Sequence, residues 1–433
     1  MKDVFISDLN PVVSDKVVII GWVKNQRNFG KLKFIDLEDS TGEIQIVLEQ
    51  LSLSIPKGSA IKVTGTLKAQ ENDESKFEII AEVVELISPF LLDTISPMPR
   101  SDAVFLELTG VDNLLSNRHL YICNDRSRTI LRFRHKFFRT MHTWFDKYGF
   151  VEINAPILTE ALLYKESTAF SVDYFGTPVF LTQCVGFYLE ACVLGFEKVY
   201  NFGPSFRAEP SHGRRHLAEY YHIKAEIAHV NLRDLMNFVQ KLISEVCAEL
   251  IEVAGDDLDK LNAPLLTLDI TPPYPEISYK EAIKILNKRG FSIQVGQSLP
   301  PEAEESLSHD FDKPFFIVGL PSAVEPFPYV IDPNDPELTL TADLHAPRGF
   351  GEILGIAEKI HRKSDLENRA IAKRLSEEQR KRLEWYFNLR DAGCVPHGGI
   401  GMGVERTIRW LLGLTHVRDA IPFPRLFNRI PRP

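Results

Sequence analysis

The 433-residue sequence has little cysteine, no long apolar run and no excess of positive charge. Its cysteines are odd in number and form no Cys-x-x-Cys pair, which disfavours both a disulfide framework and a cysteine zinc site. No apolar stretch reaches the ~18 residues of a membrane span, and the N-terminal MKDVFISDLNPVV lacks a secretion-signal pattern. We therefore expect a cytoplasmic protein with no membrane partner. The net charge of −9 disfavours a chain coated in nucleic acid but allows a local basic surface.

The first part of the sequence reads as a small β-domain. Residues 16–88 contain five alternating segments, KVVIIGWV, KLKFIDLED, EIQIVLE, AIKVTGTL and KFEIIAEVVEL, separated by Gly, Asn, Asp and Pro. Five short strands in so short a stretch predict a closed OB-fold barrel, which we assign to residues 1–88.

The pattern changes twice after the barrel. Residues 89–125 are rich in Pro and Ser and have no clear period, which is typical of a linker. From residue 126, helical spacing in SRTILRFRHKFFRTMHTWFDKYG is followed by strand-like runs and further helices, without a regular βαβ alternation. This mixture predicts an α+β domain with an antiparallel sheet over residues 126–433.

Two segments carry candidate binding chemistry. In FRAEPSHGRRHLAEYYHIKAEI, a polar loop between two strand-like runs gathers four basic side chains, Arg207, Arg214, Arg215 and His216. The planar guanidinium group of arginine matches phosphate oxygens, which indicates a nucleotide site. A solvated hairpin with surface ion pairs would have the same residue pattern. In GGIGMGVERTIRWLLGL, four glycines precede a helix that starts near Arg406, where an anion is favoured. A tight strand-to-helix packing joint is the alternative for this second segment.

Together these segments resemble a known family. FRAE…RRHLAEY is similar to motif 2, and GGIGMGVER to motif 3, of the class II aminoacyl-tRNA synthetases. YGFVEINAPIL, with Pro156, resembles their dimer-forming motif 1. Within that class, nearly the whole chain resembles the archaeal-type asparaginyl- and aspartyl-tRNA synthetases. The resemblance implies a homodimeric ligase that uses ATP and Mg²⁺.

The resemblance also implies roles for the ATP-site residues. Arg207 would hold the α-phosphate and the substrate carboxylate, and Arg406 would cover one face of the adenine; both are expected to be catalytic. The other expected contacts are Glu209 near the adenine, Arg215 and His216 at the β- and γ-phosphates, Tyr220 stacked on the adenine, and Asp343 and Glu352 on Mg²⁺. In such a site a carboxylate attacks the α-phosphorus, and cations stabilise the charge as pyrophosphate leaves.

The barrel resembles the family's anticodon-binding domain. The implied tRNA contacts are Arg27, Phe34, Gln45 and Glu78. An aromatic ring beside amide and carboxylate groups is how single-stranded bases are usually read. From the residues alone, Phe34 could equally be a core residue and Gln45 an ordinary strand residue.

The implied amino-acid pocket departs from the family. Tyr164 stands where a mobile loop carries a glutamate, Cys184 and Gly186 replace a serine and a glutamine, and Lys224 replaces an acidic residue. Gln183 is retained, Lys359 stands where an arginine reads the substrate side chain, and Leu189 stands where aspartyl enzymes carry lysine. An α-ammonium needs acceptors, and a nearby cation repels it.

Three hypotheses follow. The first is a diverged paralogue that activates a small carboxylic acid other than ordinary asparagine or aspartate, and transfers the acyl group to an amine, ammonia or tRNA. The second is a genuine asparaginyl-tRNA synthetase, which requires Lys224 to point away from the pocket or the pocket to be unorthodox. The third is a non-catalytic tRNA-binding regulator, which the retained ATP and Mg²⁺ residues disfavour.

Overall fold

The computed structural model describes residues 4–9, 16–49, 55–70, 73–92, 99–100 and 111–429. The chain divides into two compact units, Met1–Arg128 and Thr129–Pro433. Within the predicted linker, residues 93–98 and 101–110 lie outside the described part, and two short helices, α1 (Val111–Ser116) and α2 (Arg118–Tyr121), follow. The division into 1–88, 89–125 and 126–433 stays a prediction.

The first unit contains a closed five-stranded barrel. Its strands are β1 (Lys16–Phe29), β2 (Leu32–Glu38), β3 (Glu43–Leu48), β4 (Ala60–Gln70) and β5 (Asp73–Ser88), in the order β1-β2-β3-β5-β4. Alternate residues such as Ile35, Leu37 and Ile46 fill the barrel core. The predicted OB-fold is confirmed. Strands β1 and β5 are longer than predicted, because each pairs along its length with two neighbours and the register shifts along the way.

The second unit is built on an eight-stranded sheet in the order β12-β13-β14-β15-β16-β11-β10-β6, with a small sheet β7-β9-β8. The strands are β6 (Val151–Glu152), β7 (Leu158–Thr159), β8 (Ser171–Tyr174), β9 (Thr177–Leu181), β10 (Lys198–Phe206), β11 (Glu219–Ala228), β12 (Glu276–Ser278), β13 (Phe315–Val318), β14 (Thr341–Ala346), β15 (Gly351–Lys359) and β16 (His397–Gly403). The large sheet is antiparallel except at its two ends, where β12 pairs with β13 and β6 with β10. The predicted α+β class is confirmed.

The remaining helices are α3 (Asp125–Lys147), α4 (Gly186–Phe196), α5 (Leu232–Leu261), α6 (Tyr279–Lys288), α7 (Pro301–Ser308), α8 (Lys363–Ala372), α9 (Glu377–Arg382), α10 (Glu384–Asn388) and α11 (Val404–Leu412). Helix α5 begins at a capping box, in which the Asn231 side chain accepts from the backbone N–H of Asp234. Within the described residues, no helix is long and apolar enough to cross a bilayer.

The main core lies on one face of the large sheet. Side chains of α3, α5 and α11, such as Phe137, Leu242 and Trp410, pack there against Ile223 and Met402 of the sheet. Because side chains alternate along a strand, the residues between these core positions point to the opposite face. That opposite face carries the candidate site.

Candidate active site

A cavity of about 360 Å³ opens over this second face of the sheet. Its lining is rich in charged side chains, namely Arg207, Lys224, Lys359, Glu226, Glu304, Glu325, Asp343 and Glu352. Ile223 and Ala225 of β11 face the core, so Lys224 and Glu226 face the cavity. The structure therefore places Lys224 in the pocket and not away from it.

Glycines make room for these long side chains. Lys224 lies opposite Gly401 of β16, and Glu226 lies opposite Gly399. A Cβ atom at either glycine would collide with the facing side chain, with Nζ of Lys224 in one case and the carboxylate of Glu226 in the other. The glycine-rich strand is thus needed for the floor of the cavity.

A smaller cavity of about 100 Å³ adjoins the first, and Arg207, His222, Glu352 and Gly401 line both. Its lining includes all six residues predicted to bind ATP, which are Arg207, Glu209, Arg215, His216, Tyr220 and Arg406. The structure therefore brings together side chains that are up to 199 positions apart in the sequence.

The cations of the smaller cavity are held in place by acidic partners. Arg406 donates from Nη1 to Glu352 Oε2 at 2.8 Å and from Nε to the backbone oxygen of Arg215 at 3.3 Å. Arg215 donates to Glu304 Oε2 at 2.7 Å. The Arg207 guanidinium lies 4.9 Å from the ring centroid of Tyr164, and its Nε is buried without a hydrogen-bond partner. A bound anion would supply that missing acceptor.

The candidate metal ligands fit a hard divalent cation. Asp343 and Glu352 both line the larger cavity together with Glu304. Burial and the neighbouring Glu352 carboxylate raise the pKa of Asp343 well above its ordinary value. Burial opposes the charge of Glu352 as well, but Arg406 and Arg215 outweigh it and lower the pKa of Glu352 to about 2. Carboxylates that repel one another in this way suit Mg²⁺, which prefers oxygen ligands.

Five of the seven predicted substrate-pocket residues line the larger cavity: Tyr164, Cys184, Gly186, Lys224 and Lys359. Gln183 and Leu189 need correction, because neither is among the lining residues. Gln183 donates to Thr168 Oγ1 at 2.9 Å and so ties down the loop that carries Tyr164. Leu189 lies on the buried face of α4 and packs against Val193 and Val199.

The sequence did not predict the buried ionic network at the floor of the larger cavity. Lys359 Nζ donates to Glu190 Oε1 at 3.0 Å and to Glu226 Oε1 at 3.1 Å. Glu190 Oε2 also accepts from Arg390 at 2.7 Å and from the Tyr386 hydroxyl at 2.6 Å. The other oxygen of Glu226, Oε2, is buried and has no hydrogen-bond partner. The only sequence signal was that Glu226 lies two residues after Lys224 and so shares its face of β11.

The four predicted tRNA contacts lie together on the barrel. Gln45 donates from Nε2 to Glu78 Oε2 at 2.7 Å and accepts from Arg27, whose guanidinium lies 5.4 Å from the ring centroid of Phe34. Phe34 is half-buried, whereas its neighbour Ile35 belongs to the core. An accessible ring beside a polar network has the chemistry needed to stack and read a base.

Comparison with known sequence families agrees with this architecture. Residues 111–426 match the family described as tRNA synthetases class II (D, K and N), and residues 17–87 match the OB-fold nucleic acid binding domain. The chain therefore belongs to the class II tRNA synthetases of this family, and it is an ATP-dependent ligase. Family membership and the assembled ATP residues argue against a non-catalytic regulator.

Individual relatives cover both units. The chain is 36% identical over 435 residues to an asparagine--tRNA ligase of Chloroflexus aurantiacus, with 96% of each chain covered. It is 35% identical over 444 residues to the corresponding ligase of Pyrococcus furiosus, with 99% of each covered. It also superimposes with a TM-score of 0.91 on asparaginyl-tRNA synthetase from Pyrococcus horikoshii complexed with asparaginyl-adenylate, at 33% identity and with 99% of both chains covered.

Proposed function

We propose that the protein activates asparagine with ATP as its adenylate and transfers the asparaginyl group to tRNA. The observation that carries this proposal is the pair of groups at the cavity floor. Lys359 Nζ can donate to the oxygen of a carboxamide, and Glu226 Oε2, which has no partner, can accept from its NH₂ group. The full-length similarity to asparagine--tRNA ligases supports the same substrate.

The activation step is proposed for the junction of the two cavities. Arg207 lines both, so it can contact the substrate carboxylate and the α-phosphate of ATP at once. Arg207, Arg215 and Arg406 would stabilise the negative charge that develops as the carboxylate attacks and pyrophosphate leaves. Asp343 and Glu352 would hold Mg²⁺, which supplies further charge neutralisation on the phosphates when it is bound.

The barrel would bind tRNA, and the edge of the large sheet would bind a second copy of the chain. We expect Phe34 to stack on an anticodon base, with Arg27, Gln45 and Glu78 reading base edges. We also propose a homodimer, because β6 is the edge strand of the large sheet and the segment around Pro156 exposes apolar side chains, namely Val151, Ile157 and Leu158. A monomeric mass in light scattering would contradict the dimer.

Pyrophosphate exchange tests the substrate. The wild-type protein should exchange pyrophosphate into ATP when asparagine is present and much less with aspartate, whose second carboxylate meets the acceptor oxygen of Glu226. Glu226→Gln should lower kcat/KM for asparagine by about 10-fold or more, because an amide is a weaker acceptor than a carboxylate. Absence of asparagine-dependent exchange by the unmodified protein would refute the proposal.

One observation favours a second candidate. The Lys224 ammonium lies in the cavity against Gly401, and no hydrogen bond or ion pair involves it within the described residues. The Lys224 ammonium would attract an acid that carries a second anionic or acceptor group, and it would repel an α-ammonium. The enzyme would then be a diverged paralogue that adenylates another small carboxylic acid and passes it to an amine, ammonia or tRNA. Exchange with amine-free acids, such as succinamate, in place of asparagine would establish this candidate.

A further inference from the structure

One acidic side chain of the larger cavity, Glu325, has neither a role implied by the family resemblance nor an ion-pair partner among the described residues. Glu325 belongs to the segment between β13 and β14 and lines the cavity wall. Within the described residues its carboxylate makes no hydrogen bond and no ion pair. The nearest cations, Arg369 and Lys373, donate to the backbone oxygens of Ser322 at 2.6 Å and Ala323 at 2.7 Å, so they fix the loop and leave the carboxylate unpaired.

The surroundings of Glu325 favour the binding of a positively charged group. Burial and the nearby Glu352 raise the pKa of Glu325 to about 7, while Lys373 and Arg369 oppose the rise. Glu325 in turn contributes to the raised pKa of Asp343. A half-buried carboxylate with no partner has lost part of its hydration, and a bound cation would recover that free energy.

The neighbours of Glu325 include the position where the family carries its ammonium-binding glutamate. Here that position is Tyr164, and burial together with the nearby Glu325 carboxylate raises the pKa of both Tyr164 and Tyr329. All three residues line the same cavity. An ammonium bound there would find one carboxylate and two phenolic hydroxyls as acceptors, enough for its three N–H groups.

We propose that Glu325 binds the amine of the substrate, in place of the acidic residues that the family has at positions 164 and 224. The inference rests on the proposed function and deepens it. It explains how the pocket could still accept an α-amino acid beside Lys224. Glu325 is then the residue that separates asparagine from acids of the same shape without an amine.

Two stable adenylate analogues test this assignment. One is asparaginyl-sulfamoyl adenosine and the other is its succinamoyl counterpart, which lacks only the α-amine. Calorimetry on the full-length wild-type protein should give about 10-fold tighter binding of the amine-bearing analogue, the range expected for a hydrogen bond between charged groups. Glu325→Gln should reduce that preference to about 2-fold and leave the affinity for the amine-free analogue unchanged. Glu302→Gln, an exposed glutamate at the start of α7, should keep the wild-type preference.

The preference between the two analogues is a readout that a general loss of structure would not change selectively. The assignment is wrong if Glu325→Gln keeps the wild-type preference. It is equally wrong if the wild-type protein binds both analogues alike, prefers the amine-free one, or binds neither. Failure of the proposed function appears separately, as absent asparagine-dependent exchange by a protein that still binds the asparaginyl analogue.

Discussion

Glu190 offers the sharpest test of how the pocket floor is held. Its carboxylate is buried and contacts Lys359, Arg390, the Tyr386 hydroxyl and His397 Nε2, the last at 3.1 Å. Burial opposes its charge, but Lys359 and Arg390 hold the pKa of Glu190 well below its ordinary value. Glu190→Gln keeps the shape of the side chain and removes the charge that these cations share.

The expected loss is large because the cations left behind stay buried. Removing one partner of a buried ion pair costs about 3–5 kcal/mol, and a domain of this size loses roughly 10 °C in Tm for such a change. The loss should depend on pH through His397. Burial opposes protonation of His397, but contacts with Cys394 and Glu190 raise its pKa to about 10. That contribution is complete below the unfolded value of about 6.5 and disappears as the pH rises through 10.

Urea and thermal unfolding of the wild-type protein and Glu190→Gln, from pH 6 to pH 10, measure both effects. The difference in free energy of unfolding should be largest at pH 6 and smaller at pH 10. Glu252→Gln, an exposed glutamate on α5, should unfold like the wild type at every pH. A loss below about 1 kcal/mol, within the range of exposed ion pairs, or a loss independent of pH would refute the assignment of Glu190 as the shared counter-charge.

Three further predictions concern the ligands. Arg406→Ala should raise the Kd for ATP at least about 10-fold in calorimetry, because a charged contact is lost; unchanged binding would remove Arg406 from the nucleotide site. Phe34→Ala should weaken binding of a tRNA with a GUU anticodon by about 1–3 kcal/mol, and equal affinity would exclude base stacking on the barrel. Lys224→Met should lower the KM for asparagine by about 10-fold, since removing a like charge from the cavity relieves a repulsion of about 1–2 kcal/mol on the substrate amine. Lys284→Met, on the exposed face of α6, should leave that KM unchanged, and a rise in KM on Lys224→Met would mean that Lys224 contacts an acceptor group of asparagine and does not repel its amine.

The parts of the fold that the sequence predicted are those fixed by local patterns. Alternation in the first 88 residues was sufficient for the barrel, and the resemblance of the two arginine-bearing motifs to a known family was sufficient to select residues that line the smaller cavity. The face of Lys224 was the decisive open point. It depended on the register of β11 in the sheet, since a shift of one residue would have turned Lys224 into the core.

What the sequence could not predict depends on contacts between distant segments. Glu190 meets Lys359, Arg390 and His397 across 169, 200 and 207 positions of the chain. No spacing rule links such residues, because the sheet order and the packing of α4 bring them together. Leu189 was assigned to the pocket because it stands where aspartyl enzymes carry lysine, although the helix turns it into the core.

Together, the charged groups of the larger cavity restrict the functional groups that a substrate can carry more than any single residue does. Lys359 and Glu226 at the floor are complementary to a carboxamide, and Arg207 at the junction is complementary to a carboxylate. Two further groups of the cavity have no ion-pair partner among the described residues and no metal-binding role implied by the family resemblance, the carboxylate of Glu325 and the ammonium of Lys224. A ligand with an amine is attracted by Glu325 and repelled by Lys224. A ligand with an anionic or acceptor group in its place is attracted by Lys224 and repelled by Glu325. Because the two requirements are opposite in sign, Glu325→Gln and Lys224→Met should shift the affinity for asparagine in opposite directions if asparagine is the substrate. A shift in the same direction would mean that the amine does not lie between them.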